Sequence, residues 1–514
     1  MTDPQGFIEA SPRTTRRLTL SGNPLSLHSL LPEASFVDCA DIPFRSISDD
    51  SRKCQVGDLF VALSGSKHDA TKFCLEAIHN GATAILSEKP LPHVSIPQCI
   101  VSNSRHALAV LCNTMTGDPA RSLKTVGVTG TNGKTTVTWL LRSIFRTHNL
   151  RAGMLGTIEY DDGVESVDST LTTPDCISLH SHLAQMRDCG TTHVALEISS
   201  HALDQNRLSD AQLDVAIVTN ITQDHFDYHG DYDSYLMAKS KILDHCKKDA
   251  LVVLNIDDPG SASILQHVPD SQTCETFGLN ERGTIRAEIV KTNLSGTTFR
   301  VFSESLESEF ETSLIGRHNV SNCLAAISAS LKLGIPVDVV VEGIRNLKNV
   351  PGRLEPVDCG QPFDLFVDYA HTDDALRRVV RSLKELSQGR LICVFGAGGD
   401  RDRSKRPLLG MAASEAEIPI VTSDNPRTED PHQIIEDILS GFRKIGRKPY
   451  VEADRERAIR WALDEARQGD CVLISGKGHE TYQILGSERI PFDDRELSIQ
   501  ILSEMEEASA FQAA

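Results

Sequence analysis

At 514 residues the chain is too long for one hydrophobic core, and a prior of about 150 residues per domain points to three or four folded units. Its formal net charge of -19 argues against a general binder of nucleic acid or anionic membrane, so any polyanion must be met by cations clustered in motifs. The 13 cysteines are scattered singly, with no C-x-x-C pair and no zinc-like spacing.

Met1 to Gly22 carries arginines but no apolar core of a signal peptide, and no stretch approaches the roughly 20 apolar residues of a membrane span. A cytoplasmic chain with reduced thiols is expected. Residues 1–122 read as a first, small α/β unit. The apolar run Gly57 to Leu63 lies between Ile47-Ser48-Asp49-Asp50-Ser51-Arg52 and Gly65-Ser66-Lys67-His68-Asp69. A helix over 71–80 and a strand over 82–86 follow. Donor-rich loops of this kind either hold a nucleotide or are simply solvated.

Residues 123–352 open on a β-prone stretch, Leu123 to Val128, that runs into Gly130-Thr131-Asn132-Gly133-Lys134-Thr135-Thr136 and then an apolar helical pattern through Phe145. Strand, glycine turn and helix N-terminus in that order form an anion cradle, because free backbone N–H groups and the helix dipole face the loop. Lys134 is placed to reach outer phosphates and the Thr135 hydroxyl to hold Mg²⁺. The general phosphate-loop pattern places a glycine where Val128 stands, yet the motif still reads as an ATP-type loop. Strand and helix patterns then alternate, predicting a mostly parallel sheet. Strands over 193–198, 215–219 and 250–254 end in polar residues, where ligands collect in such sheets. They deliver Glu197-Ile198-Ser199-Ser200-His201 and Asn220-Ile221-Thr222-Gln223-Asp224-His225. A phosphate loop beside a carboxylate and an Asp/His cluster suits Mg·ATP chemistry.

Pro351-Gly352-Arg353-Leu354-Glu355 reads as a linker into a third unit, 353–514, with strands over 365–368, 391–396, 418–422 and 471–475. Its loops include Gly398-Gly399-Asp400-Arg401, Asp424-Asn425-Pro426-Arg427 and Gly476-Lys477-Gly478-His479-Glu480. A glycine-rich loop alone does not make a dinucleotide site. The acidic tail from Glu504 reads as a solvated end. The expected fold class is α/β in three domains: a small N-terminal unit, a central P-loop-type sheet, and a C-terminal Rossmann-like unit.

G-T-N-G-K-T-T, E-I-S-S-H, T-N-I-T-Q-D-H-F-D-Y-H-G, G-R-H-N, P-G-R-L-E, D-Y-A-H, D-N-P-R and G-K-G-H-E occur in this order. Together they resemble the Mur ligases, the ATP-dependent amino-acid ligases of peptidoglycan precursor synthesis, over about Ser48 to Asp494. The resemblance implies ATP and Mg²⁺ as cofactors. It implies a UDP-N-acetylmuramoyl dipeptide and an amino acid as substrates, with neither nucleic acid nor membrane as partner, and a monomer. It places the uridine diphosphate end of the substrate on Asp49, Ser51, Ser66, Lys67 and His68. The sugar and peptide fall on Thr172, Thr173, Ser199, Gln205 and Arg207. ATP falls on Gly130 to Thr136, with adenine near Asn319, phosphate near Arg353 and ribose near Asp368. Thr135, Glu197 and His225 match metal positions, and Lys239 falls where the family carries a lysine turned into a carbamate by CO₂ (N6-carboxylysine). Unaided, Lys239 reads as a surface lysine on an amphipathic helix.

The same resemblance puts the amino-acid site on Arg401, Asp424, Asn425, Pro426, Arg427, Gly476 and Glu480. The choice of amino acid rests on Arg427. The far end of meso-diaminopimelate is a zwitterion, calling for a guanidinium on its carboxylate and an acid such as Glu480 on its ammonium. Lysine-adding relatives resemble D-D-P-N or D-N-P-A and lack that arginine. Leu171 departs from the family, standing where a polar substrate contact is common. Folylpolyglutamate synthase shares the phosphate loop but is not expected to pair the Asp49/Ser51 loops with D-N-P-R. A nucleotide-dependent switch, which forms no bond, and a P-loop kinase are the readings from other classes.

Overall fold

The computed structural model describes residues 16–65, 69–209, 211–280 and 282–513. Ser66, Lys67 and His68, expected at the uridine diphosphate end, lie outside the described residues. Among the described residues, three large sheets follow one another along the chain.

The first has six strands in the order Arg17–Thr19, Ser46–Ser48, Leu59–Val61, Ala84–Ser87, Gln98–Ile100 and Ser35–Val37. Its inner pairs are parallel and its two edges antiparallel. The expected helix over 71–80 is a 3₁₀ turn, Ala70–Phe73, running into a short α-helix, Cys74–His79. Asp69 explains the split, since its side chain accepts from Thr71 N and Thr71 Oγ1 and tightens the first turn.

The central sheet has eleven strands. Lys124–Thr129 is flanked by His193–Glu197 and Leu213–Val218, both parallel to it. Helix Lys134–Thr147 buries Val137, Leu140, Leu141, Ile144 and Phe145 against that sheet. Truncating one such side chain to alanine costs about 2–5 kcal/mol, so the phosphate loop rests on a rigid support. Simple strand–helix alternation does not hold to the end of this unit. Ile285–Asn293, Gly296–Phe302 and Glu307–Thr312 form an antiparallel meander, and Glu159–Asp161 with Ser166–Asp168 adds an antiparallel edge. The meander has one wet and one dry face: Ala287, Phe299, Val301 and Phe310 are buried, whereas Val290 is exposed.

The third sheet runs Glu355–Pro356, Asp364–Asp368, Cys471–Ser475, Leu391–Phe395, Ile418–Val421 and Tyr450–Val451. Pro351 to Glu355 is no loose linker. Gly352 N donates to Glu355 Oε2 at 2.7 Å, and Leu354 N to Asp368 Oδ2 at 2.6 Å. The acidic tail from Glu504 stays mostly exposed, as a solvated end should, but it continues helix Asp494–Ala513, and Glu504 pairs with Arg460 at 2.8 Å.

Candidate active site

The phosphate loop leaves the strand at Thr129, and helix Lys134–Thr147 starts with no side chain capping Gly133. Gly130 and Gly133 have φ of +148° and +89°, and a Cβ on either would collide with Thr219 or Asn322. Lys134 curls back, its Nζ donating to the carbonyls of Gly130 and Thr131 at 2.9 Å each. Burial lowers its pKa, with Glu197 and Asp224 opposing the shift.

Lys239 is not a surface lysine. It is 1 % exposed, its Nζ donates to Gly130 O at 2.8 Å, and it lies 4.7 Å from the centre of the Tyr235 ring. Burial, aided by the nearby Lys134, pushes its pKa well below the ordinary lysine value. Two lysines therefore converge on one loop and are satisfied by carbonyls rather than acids, which leaves the loop electropositive.

Glu197 ends its strand behind that loop. Its carboxylate accepts from Thr135 Oγ1 at 3.0 Å and from Thr157 N and Oγ1, both at 2.9 Å. Arg353 reaches across from the segment after the meander. Its Nη2 donates to Thr135 Oγ1 at 3.2 Å, and its guanidinium lies 4.4 Å from the Tyr369 ring centre. Asp368 is held by Leu354 N and by Ala370 N at 2.7 Å; burial raises its pKa against the pull of Arg353. Asn319 donates to Ile315 O and accepts from Asn322. A cavity of about 680 Å³ joins Thr131 to Thr136, Asn319, Arg353, Asp368, His225 and Lys239, and it also reaches Thr172 and Ser199. Of the residues expected to hold ATP, all but Gly130 line this one space.

Thr135 and Glu197 are hard oxygen donors in hydrogen-bond contact, a chemistry that fits Mg²⁺. His225 lines the same cavity, with its Nε2 3.4 Å from Asp224 Oδ2 and its ring 4.9 Å from that of His201. Burial pulls the His225 pKa down to about 4, so it is neutral at pH 7. Among the described residues no cluster of three or more His, Cys, Asp or Glu side chains is arranged to hold a metal. Asp224, read from the sequence as part of an Asp/His cluster for Mg·ATP, accepts from Lys405 of the third unit at 2.9 Å.

The residues expected on the uridine substrate separate. Asp49, Gln205 and Arg207 line a second, small pocket of about 110 Å³ together with Leu171, Arg16 and Arg105. Burial lifts the Asp49 carboxyl to about 7, despite Arg16 Nη1 at 3.0 Å. Arg207 is clamped by Gln205 Oε1 and by Thr173 O. Thr173 is buried and supports Ser199, accepting from Ser199 N at 2.9 Å. Ser51 turns inward and donates to Glu76 Oε2 at 2.5 Å, so it does not join that pocket. Its neighbourhood with Asp49 in sequence hid the change of side.

In the third unit, Asp424-Asn425-Pro426-Arg427 follows strand Ile418–Val421 and meets the loop after Cys471–Ser475. Asn425 Nδ2 donates to Glu480 Oε2 at 2.8 Å. Arg427, at φ +51°, donates from Nη1 to Gly399 O at 2.7 Å, and its backbone N–H donates to Ile484 O of the hairpin Tyr482–Leu485/Glu488–Pro491. A Cβ on Gly398 would meet both Arg427 and Arg401, so these two guanidinium arms flank one backbone turn. A Cβ on Gly476, at φ +119°, would sit 3.1 Å from Asp424 Oδ2. Lys477 went unremarked as a site residue. It is fully buried, with Glu480 Oε2 and Asn425 Oδ1 each at 3.4 Å. Its place between two inward glycines was the only sequence signal for it. Arg16, Thr157 and Tyr369 were missed because nothing in their spacing links them to the loops they touch.

This arrangement, an anion loop and an acid-and-arginine pocket on two α/β sheets, matches a known family. Residues 128–330 match the Mur ligase middle domain, and residues 352–478 the Mur ligase glutamate ligase domain. The chain belongs to the Mur ligase family. A Syntrophomonas wolfei protein named UDP-N-acetylmuramoyl-L-alanyl-D-glutamate–2,6-diaminopimelate ligase is 40% identical over 467 residues, 90% of this chain and 95% of its own. A Geobacillus kaustophilus protein of the same name is 42% identical over 453 residues, 87% of this chain and 92% of its own. A solved structure of an enzyme of that name superposes with a TM-score of 0.66 at 31% identity, covering 94% of this chain and 99% of that one.

Proposed function

We propose that this chain is an ATP-dependent ligase that joins meso-diaminopimelate to the D-glutamyl side-chain carboxylate of UDP-N-acetylmuramoyl-L-alanyl-D-glutamate. The observation that carries the choice of amino acid is the joining of Arg427 and Glu480 in one loop cluster through Asn425. A guanidinium and a carboxylate carried by neighbouring loops complement the zwitterionic far end of the diamino diacid. The proposed domains are 1–122 for the uridyl substrate, 123–352 for ATP and 353–514 for the amino acid.

A carboxylate resists amines because oxide is a poor leaving group. Transfer of the ATP γ-phosphoryl group to it gives an acyl phosphate. The diaminopimelate amine then adds to the acyl carbon, and the tetrahedral intermediate expels phosphate as the amide forms. Charge builds on phosphoryl oxygens in both steps, so positioning and fixed positive charge do most of the work. Lys134, bonded to the loop at Gly130 O, and Arg353, bonded to Thr135 Oγ1, supply that charge. Thr135 and Glu197 would hold Mg²⁺, which neutralises phosphate charge when bound. Lys239 is predisposed to carbamate formation, because only a neutral amine adds CO₂ and burial beside Lys134 disfavours the charged form of this one. A carbamate there would replace a cation by an oxygen anion on the same arm.

The test is phosphate release with ATP and the UDP-muramyl dipeptide across an amino-acid panel. Turnover is expected with meso-diaminopimelate and to be at least about a hundredfold weaker with L-lysine. Equal use of both would reduce the assignment to a ligase of unspecified amine; ATP turnover indifferent to both substrates would favour a switch.

A further inference from the structure

We propose that Lys477 is a positioning residue for the incoming amino acid: a solvent-free cation that holds Asp424 and Glu480 as a half-neutralised pair with room for one ammonium. The inference rests on the reading of this loop cluster as the amino-acid site.

Lys477 is 0 % exposed, and the loop carrying it bends inward at two left-handed glycines, Gly476 at φ +119° and Gly478 at φ +53°. Its Nζ lies 3.4 Å from Glu480 Oε2 and 3.8 Å from Asp424 Oδ1, and 5.6 Å from the Tyr482 ring centre. Charge-assisted N–H···O bonds normally close to about 2.7–2.9 Å, so this lysine orients both acids without saturating either. Asp424 Oδ1 is buried and has no hydrogen-bond partner among the described residues. An orphaned buried carboxylate oxygen is costly unless a ligand completes it.

The charges decide what that ligand is. Asp424 is buried and Glu480 part-buried, and Arg455, which also acts on both acids, is taken up by its ion pair with Asp494; two carboxylates against one ammonium therefore leave a net charge of about -1, unfavourable to enclose until a further cation arrives. An ammonium brings the cluster to neutrality; an uncharged or anionic group does not. Arg427 meets the carboxylate of the same zwitterionic end. Lys477 therefore sets the charge difference by which the site tells a diamino diacid from a mono-amino analogue of equal length.

The test uses the full chain in steady-state phosphate release at saturating ATP and UDP-muramyl dipeptide. Lys477→Met should raise KM for meso-diaminopimelate about tenfold or more, with kcat within about threefold and KM for ATP within about twofold. With Glu480→Gln already present, adding Lys477→Met should cost less than about threefold, since the lysine acts through that acid. An unchanged KM in the single variant, full additivity, or equal rises in all three KM values would overturn the proposal. If Lys477→Met lacks a cooperative melting transition, Glu480→Gln alone decides it. Neutralising the cluster should collapse the kcat/KM preference for diaminopimelate over L-2-aminopimelate at least about tenfold, and an unchanged preference overturns the proposal. If the unmodified chain ignores diaminopimelate altogether, the amino-acid reading fails instead; if it responds and Glu480→Gln raises KM while Lys477→Met behaves normally, only the role of Lys477 falls.

Discussion

The phosphate loop and the Asp424–Glu480 cluster each bury lysine, with opposite electrical results. Lys134 and Lys239 donate hydrogen bonds to the carbonyls of Gly130 and Thr131, with Glu197 and Asp224 acting on Lys134 through space. Lys477 is placed between Glu480 and Asp424, which outnumber it. On the proposed reading the first region takes the triphosphate and the second takes the ammonium of the amino acid. The difference lies in the partners, because dipoles of neutral carbonyls leave a lysine's charge unspent whereas two carboxylates more than cancel it. A ligase that brings a triphosphate and an amino acid together needs both kinds of pocket.

The sharpest way to break this contrast is to remove a cation from the anion side. Lys134→Met should lower kcat for ATP-driven phosphate release about a thousandfold while the melting temperature holds, checked by coupled phosphate assay and calorimetry. A drop below tenfold would mean the loop does not work by fixed charge. Lys239→Ala should lose about a hundredfold, and high concentrations of acetate or formate should return part of it, because a small carboxylate can occupy the place of the carbamate oxygens. Loss without rescue would indicate that the lysine serves as a cation after all.

On the opposite side, Arg427→Met should raise KM for meso-diaminopimelate about 10- to 100-fold and shrink the preference over L-lysine, with KM for ATP unchanged. A proportional rise for L-lysine would show that Arg427 shapes the loop rather than reading the carboxylate. The smallest effect concerns Asp49, whose carboxyl is raised from 3.8 to about 7 by burial. The folded chain then binds one proton more than the unfolded chain between those values. Stability from this group is complete below about pH 4 and is lost as pH rises through 7. Asp49→Asn removes that dependence, so its melting temperature should gain on the unmodified chain by about 2 °C or more between pH 5 and pH 8. Parallel curves would show that Arg16 keeps the carboxylate charged.

The order of Gly130 to Thr136, the strand before it and the helix after it were readable along the chain, because local backbone demands and apolar periodicity are written in adjacent residues. So were the chemical types in the amino-acid loops, including Arg427 and Glu480. The burial of Lys239, the inward turn of Ser51, the pairing of Asp224 with Lys405 and the meeting of Lys477 with two acids were not. Each depends on where a side chain sits relative to segments far away in sequence, such as Asp224 and Lys405 in different units. Burial then changes what a residue is: the same lysine that periodicity assigns to a wet helix face has its pKa pushed well below the ordinary lysine value once packed under the loop. Local sequence specified which groups could do chemistry, and long-range packing chose their charge and their partners.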